Sequence, residues 1–202
     1  LYGDEISKLV VQKLLEQKMR SHEEIDQQLK EMASTISSAI YERFEGLGGS
    51  TVIMTYIDGN QLHWVSVGDS HLYIKRQNKL YLMNEEHNYL SYLYYNVLKG
   101  YLTLEEARNH KSPYGLTQFM GKEKLTAIEG SYKGFTLQDQ DIICICTDGV
   151  SDTLSDKQIN ALLTKDVMES AKAITNQIIV AKNEYQDNFT AVIMKWSGEN
   201  GV

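Results

Sequence analysis

Asp141-Ile142-Ile143-Cys144-Ile145-Cys146-Thr147-Asp148-Gly149 is the stretch on which the fold turns. A continuous apolar run of this length reads as a strand buried on both faces. It delivers Asp148 to its end, beside a glycine that lets the backbone turn sharply. A second site of the same kind is Gln186-Asp187-Asn188, which opens the last apolar run, Phe189 to Trp196. Two carboxylates held at strand ends suit a hard divalent cation, which prefers oxygen ligands. Taken singly, such an aspartate is more often a turn former or helix cap.

Outward from these strands, Ile6, Leu9, Val10, Leu14 and Leu15 recur at helical spacing. Ser21 with Glu24 forms a capping-box pattern ahead of a second stripe, Ile25, Leu29, Met32, Ile36, Ile40 and Phe44. Gly46 to Gly49 then stops that helix; a phosphate cradle would need a helix to follow, and a strand follows instead. Asp58-Gly59-Asn60 is a hairpin signal between Thr51–Ile57 and Gln61–Val67. Leu72 to Lys75 and Leu80 to Leu82 are expected to continue this antiparallel meander. From 84 to 121 the pattern becomes an irregular excursion with two short helices, the second capped by Thr103 and Glu106. Long excursions of this kind are often lids. The tyrosines at 89, 92, 94 and 95 are expected to pack beneath it. Strands resume over 125–137 and 141–146. Ser155 with Gln158 caps a helix through Leu163, and a last helix covers 166–181.

Helix runs separated by hairpins define an α+β class with antiparallel sheet. So much strand predicts two packed antiparallel β-sheets flanked by helix pairs, an α-β-β-α sandwich. The 202 residues fit one domain, 1–202, with a flap at about 84–121. A formal charge of −7 argues against nucleic acid as a partner. No run has the apolar length of a membrane span, and no signal-peptide pattern opens the sequence. Cys144 and Cys146 share a strand face as core residues and are too few for a disulfide framework, which favours the cytoplasm. Leu1-Tyr2-Gly3-Asp4 reads as loop interior, so a further segment upstream is expected.

Four strings occur in order: Gly49-Ser50-Thr51, Val67-Gly68-Asp69-Ser70-His71, Thr147-Asp148-Gly149-Val150-Ser151-Asp152, and Asp187-Asn188-Phe189-Thr190. This series resembles the protein phosphatase 2C family, the PPM-type metal-dependent serine/threonine phosphatases. Leu104 to His110 and Leu116 to Gly121 also resemble the family's flap. The resemblance implies hydrolysis of phosphoserine and phosphothreonine in proteins by a metal-activated water, with a binuclear Mn²⁺ or Mg²⁺ site. Asp148 and Asp187 are then catalytic metal ligands. Asp152 is expected to support Asp148, and Asp69 to hold its turn. Glu86, in Asn84-Glu85-Glu86-His87, stands for the family's aspartate that helps bind a third ion. The implied partners are a phosphorylated protein substrate and a cognate Ser/Thr kinase.

The sequence departs from the family pattern at several points, among them Gln118, which stands in the flap where an arginine is common. His71 replaces the arginine usual after Gly-Asp-Ser, and no Asp-Gly-x-Gly-Gly string, the family's metal-bridging motif, occurs in the sequence. The alternative function is therefore a catalytically silent phosphatase-like domain that binds a phosphopeptide or partner. Histidines 22, 63 and 110 and Lys122 and Lys124 read as surface or structural residues.

Overall fold

The computed structural model describes residues 2–181 and 184–198. Its elements in chain order are α1 (Gly3–Leu15), α2 (Ile25–Phe44), β1 (Val52–Asp58), β2 (Gln61–Val67), β3 (His71–Arg76), β4 (Lys79–Leu82), α3 (Tyr89–Leu98), α4 (Leu104–Arg108), β5 (Glu129–Gly130), β6 (Phe135–Thr136), β7 (Ile142–Cys146), α5 (Asp148–Ser151), α6 (Asp156–Leu162), α7 (Val167–Ala181) and β8 (Ala191–Lys195). The expected α+β class is observed. One four-stranded antiparallel sheet is ordered β1-β2-β5 with β6 also on β2, and the other β4-β3-β7-β8. The chain gathers into two compact units, 1–54 with 64–69 and 85–133, and 55–63 with 70–84 and 134–202.

In the first unit α1 packs on α2 through Ile6, Leu9 and Val10. The predicted Ser21 capping box does not form. Glu24 takes the N-cap position at φ 53° without a side-chain cap. Gln28, one turn into α2, instead donates back to the carbonyls of Ser21 (3.0 Å) and Glu23 (2.6 Å). The buried stripe of α2 meets the end of the 84–121 excursion. Gly121 N–H donates to Ser37 Oγ (3.0 Å), and a Cβ on Gly121 would lie 2.8 Å from Ile40. The excursion is closed at its base around His87. Gly68 N–H donates to His87 Nδ1 (3.2 Å), His87 N–H to Gly68 O (2.8 Å), and Thr117 N–H to His87 O (2.8 Å). Burial lowers the His87 imidazole below its ordinary value, consistent with a neutral ring accepting at Nδ1.

Both short helices of the excursion form, with Asn88 capping α3 and Thr103 and Glu106 completing a capping box on α4. The tyrosines of α3 do not pack beneath it. They are exposed, from 40% at Tyr89 to 57% at Tyr95, and Leu93 is the buried residue of that helix. Four tyrosines over seven positions circle the helix, so only part of the set could have faced inward. The expected strands over 125–137 shrink to the two-residue β5 and β6.

In the second unit β3 lies centrally, paired antiparallel with β4 and β7, and β7 pairs with β8. The predicted meander therefore breaks: β3 joins the sheet of β7 rather than that of β1 and β2. The break falls at Gly68, whose φ of +113° few side chains adopt and whose Cβ would lie 2.4 Å from Thr51 Cγ2. One face of the sheet carries Tyr73, Ile142, Cys144 and Cys146 into a core with Val150, Leu154, Ile159, Leu163, Ile174 and Ile178. Both cysteines are free and buried, as the strand spacing predicts. Ser155 and Gln158 form the predicted capping box on α6. Asp141, 1% exposed, accepts from Arg76 Nε (2.9 Å) and Nη2 (2.6 Å) and from Gln138 N–H (2.8 Å), so the buried charge is both paired and hydrogen-bonded.

Glu129 lies half-buried in the first unit, where Trp64 Nε1 donates to it at 3.4 Å. Burial, with a smaller contribution from the Glu85 charge, pushes its carboxyl above the ordinary value, against Trp64 and Lys30. In acid both states hold it neutral. As pH rises past the ordinary carboxylate value the unfolded chain ionises first, so stability falls until the folded carboxyl ionises too. Glu129→Gln is expected to stabilise the protein at pH 7 and to flatten that fall, read from urea unfolding between pH 4 and pH 7. An unchanged pH profile would contradict the assignment.

Candidate functional site

β7 and β8 are paired along their length, from Ile142 opposite Lys195 to Cys146 opposite Ala191. Their neighbouring ends carry the two predicted aspartates. The pairing extends one residue beyond the strands, where Thr147 N–H donates to Thr190 O (3.1 Å) and Thr190 N–H to Thr147 Oγ1 (3.1 Å). Beyond Thr147 the chain enters α5, a single helical turn that the apolar pattern is too short to reveal. Asp148 is its first residue and is half-buried; Asp187, on the facing loop, is exposed.

The loops are fastened to one another. Gln186 Nε2 donates to Gly149 O (2.9 Å) and to Asp187 O (2.9 Å), while Thr153 Oγ1 donates to Gln186 Oε1 (2.7 Å). Gly149 lies so close to the second loop that a Cβ there would be 2.4 Å from the Asn188 carbonyl oxygen. The expected reason for this glycine, a sharp turn, is therefore corrected. Gly149 sits inside a helical turn, and its missing side chain admits the backbone of Asn188.

Each carboxylate is oriented by the amide that follows it. Gly149 N–H donates to Asp148 Oδ1 (2.8 Å) and Asn188 N–H to Asp187 Oδ1 (2.7 Å). Neither aspartate is ion-paired with a lysine, arginine or histidine among the described residues, and the second oxygen of each has no hydrogen bond there. Two anionic oxygens on adjoining, cross-braced loops fit a hard divalent cation. The set is partial: among the described residues no group of three or more His, Cys, Asp or Glu side chains comes together to hold a metal ion.

Asp152 ends α5, and its amide donates to Asp148 O at 2.7 Å, so its backbone braces the turn while its side chain is exposed. Asp69 is half-buried in the turn between β2 and β3. Glu86 belongs to the first unit, in the segment entering α3, and accepts from Asn88 Nδ2. His71, opposite Cys146 across the β3–β7 ladder, hydrogen-bonds through Nδ1 to Tyr73 Oη (2.8 Å), and Tyr73 Oη donates to Asp156 (2.9 Å). Sequence reasoning missed Thr147, Thr190 and Gln186. Their one signal was position, immediately beside the two aspartate motifs.

No protein-family model matches the chain. It is similar to the protein phosphatase PhpP of Streptococcus pneumoniae, 24% identical over 159 residues, which cover 79% of this chain and 62% of that protein. The match thus spans less than two thirds of the curated relative's length. Among solved structures, PppA of Pseudomonas aeruginosa, described as a regulatory component of T6SS, superposes with a TM-score of 0.77 at 20% identity, covering 96% of this chain and 80% of that one. The catalytic domain of the serine/threonine phosphatase PstP, solved with two manganese ions, gives 0.70 at 22% identity over 95% of this chain and 80% of that one. The fold is that of the PPM-type serine/threonine phosphatases. These similarities agree with the resemblance read from the four strings and extend it to the fold.

The close approach of Gly149 to Asn188 carries its own test. Gly149→Ala is expected to force the two loops apart and to destabilise the protein by about 1–3 kcal/mol, as overpacking does. Urea denaturation reads this directly. A midpoint equal to that of the parent would show that the loops are not held by this contact.

Proposed function

We propose that this protein hydrolyses phosphoserine and phosphothreonine in proteins, with Asp148 and Asp187 as ligands of a divalent metal, Mn²⁺ or Mg²⁺. The observation that carries the proposal is the fastening of two unpaired carboxylates, one oxygen of each fixed by the next amide, at neighbouring ends of β7 and β8. A bound divalent ion supplies a water of lowered pKa and offsets negative charge on phosphoryl oxygens. Asp148 and Asp187 hold their outer oxygens ready for it. Thr147, Gln186 and Thr190 position the loops that carry them. No side-chain nucleophile is required, which agrees with two cysteines sealed in the core.

By resemblance to the family, Glu86 is proposed as a ligand of a further ion, with 1–202 as a single domain and 84–121 as its flap. The substrate is a phosphorylated protein, its phosphate placed by a Ser/Thr kinase. Among the described residues no helix is long and apolar enough to cross a membrane. A cytoplasmic setting is proposed from the protein's two free, buried cysteines.

One observation favours a second reading. The sequence contains no Asp-Gly-x-Gly-Gly string, and no third metal-binding side chain joins Asp148 and Asp187 among the described residues. A silent domain that binds a phosphopeptide or partner would have this character. The readings separate in one assay, Mn²⁺-dependent hydrolysis of a phosphothreonine peptide by the complete gene product. Hydrolysis that falls by orders of magnitude in Asp148→Asn, with the fold intact by circular dichroism, is expected. Equal rates in parent and variant would remove Asp148 from the reaction, and no hydrolysis with any divalent metal would favour the silent domain.

A further inference from the structure

The sheet of the second unit ends on one side at β4, and that edge is open. β3 and β4 are joined by the two-residue turn Gln77-Asn78, so Arg76 and Lys79 form its closing hydrogen-bonded pair. Pairs alternate in an antiparallel ladder, which makes Lys75–Leu80 and Tyr73–Leu82 the non-hydrogen-bonded pairs. Met83 N–H donating to Leu72 O at 2.8 Å fits the same alternation. The amide and carbonyl of Leu80 and of Leu82 therefore point away from β3. Among the described residues no hydrogen bond reaches them.

The side chains at this edge are not those of a well-blunted strand. Tyr81 and Leu82 are 47% and 45% exposed. Beside them lies a largely apolar cavity of about 390 Å³, lined by Arg76, Tyr81, Leu82, Met83 and Phe135. Arg76 is spoken for, bonded to Asp141 and stacked over Phe135 at 4.9 Å, so it walls the cavity rather than offering a free charge. Lys79 is exposed and unpaired among the described residues. From His71 to Asn84 the chain has no acidic residue; Lys75 is held by the carbonyls of Asn160 and Leu163 (2.6 Å each), so Lys79 is the cation presented at this edge. A lysine on an edge strand commonly discourages pairing. Here it stands at the turn, and the outward-facing groups lie beyond it on an apolar stretch.

We propose that the free edge of β4 is a docking site for an extended, acidic segment of a partner protein, which adds as a further strand and seats one side chain in the cavity beside Tyr81. Main-chain bonds to Leu80 and Leu82 hold the segment, the cavity selects an apolar residue, and Lys79 favours acidic neighbours. This surface is independent of the metal ligands, since β4 carries none of them.

The test is fluorescence anisotropy with a labelled Glu-Val-Glu-Val-Glu-Val peptide and the whole chain. Saturable binding that weakens with salt is expected. Leu82→Pro removes one outward amide and leaves the ladder to β3 intact, as edge prolines do. It is expected to weaken binding about tenfold without moving the melting temperature. Lys79→Glu, an exposed change that leaves the backbone alone, weakens binding as well and decides the matter if the proline variant does not fold. No saturable binding, or equal affinity in parent and Lys79→Glu, would overturn the proposal. So would a dimer in sedimentation that Leu82→Pro dissociates, because the edge would then belong to a second copy.

Discussion

The site depends on the antiparallel pairing of β7 with β8 and on what that pairing does one residue past its end. Cys146 and Ala191 are the last pair of the ladder, and Thr147 and Thr190 continue it with two further hydrogen bonds. Asp148 follows Thr147 directly and Asp187 lies three residues before Thr190, on loops that could otherwise splay. Their separation along the chain is large, so the ladder supplies a proximity that neither loop could encode alone. The glycine at 149 then lets the Asn188 backbone approach where any side chain would collide.

This arrangement explains how two like charges come to be kept on adjoining loops. Each carboxylate accepts a hydrogen bond from the next amide, which offsets part of its charge and fixes its orientation. The core behind them is apolar, built by Cys144, Cys146, Val150 and Leu154. The turn of α5 is therefore anchored from below by Val150 and from the side by Gln186 and Thr153. A cation at the outer oxygens would complete the charge balance that the protein groups leave open.

Much of this was legible in the sequence because it rests on local signals. The apolar run 142–146, the hairpin glycine at 59 and the capping boxes at Thr103 and Ser155 each appear in the structure where the residues indicate. What failed was decided by tertiary context. The chain changes sheets at Gly68, and no local pattern distinguishes that crossing from one more hairpin. Gln28 displaced Ser21 as the group that closes the entry to α2, a competition between two hydrogen-bonding side chains. The tyrosines of α3 lack a one-sided period, so their burial could not be read from spacing. At the site, the aspartates were visible as motifs, whereas Thr147, Gln186 and Thr190 gain meaning once β7 and β8 are paired.

The central claim is that Asp148 and Asp187 act as one divalent-metal site. Paramagnetic broadening by Mn²⁺ in amide NMR spectra tests it most directly, because it registers even weak occupancy and needs no turnover. The amides of Gly149 and Asn188 should broaden together at the lowest Mn²⁺ concentrations and recover in both Asp148→Asn and Asp187→Asn. Broadening centred elsewhere, or at one loop without the other, would contradict the account.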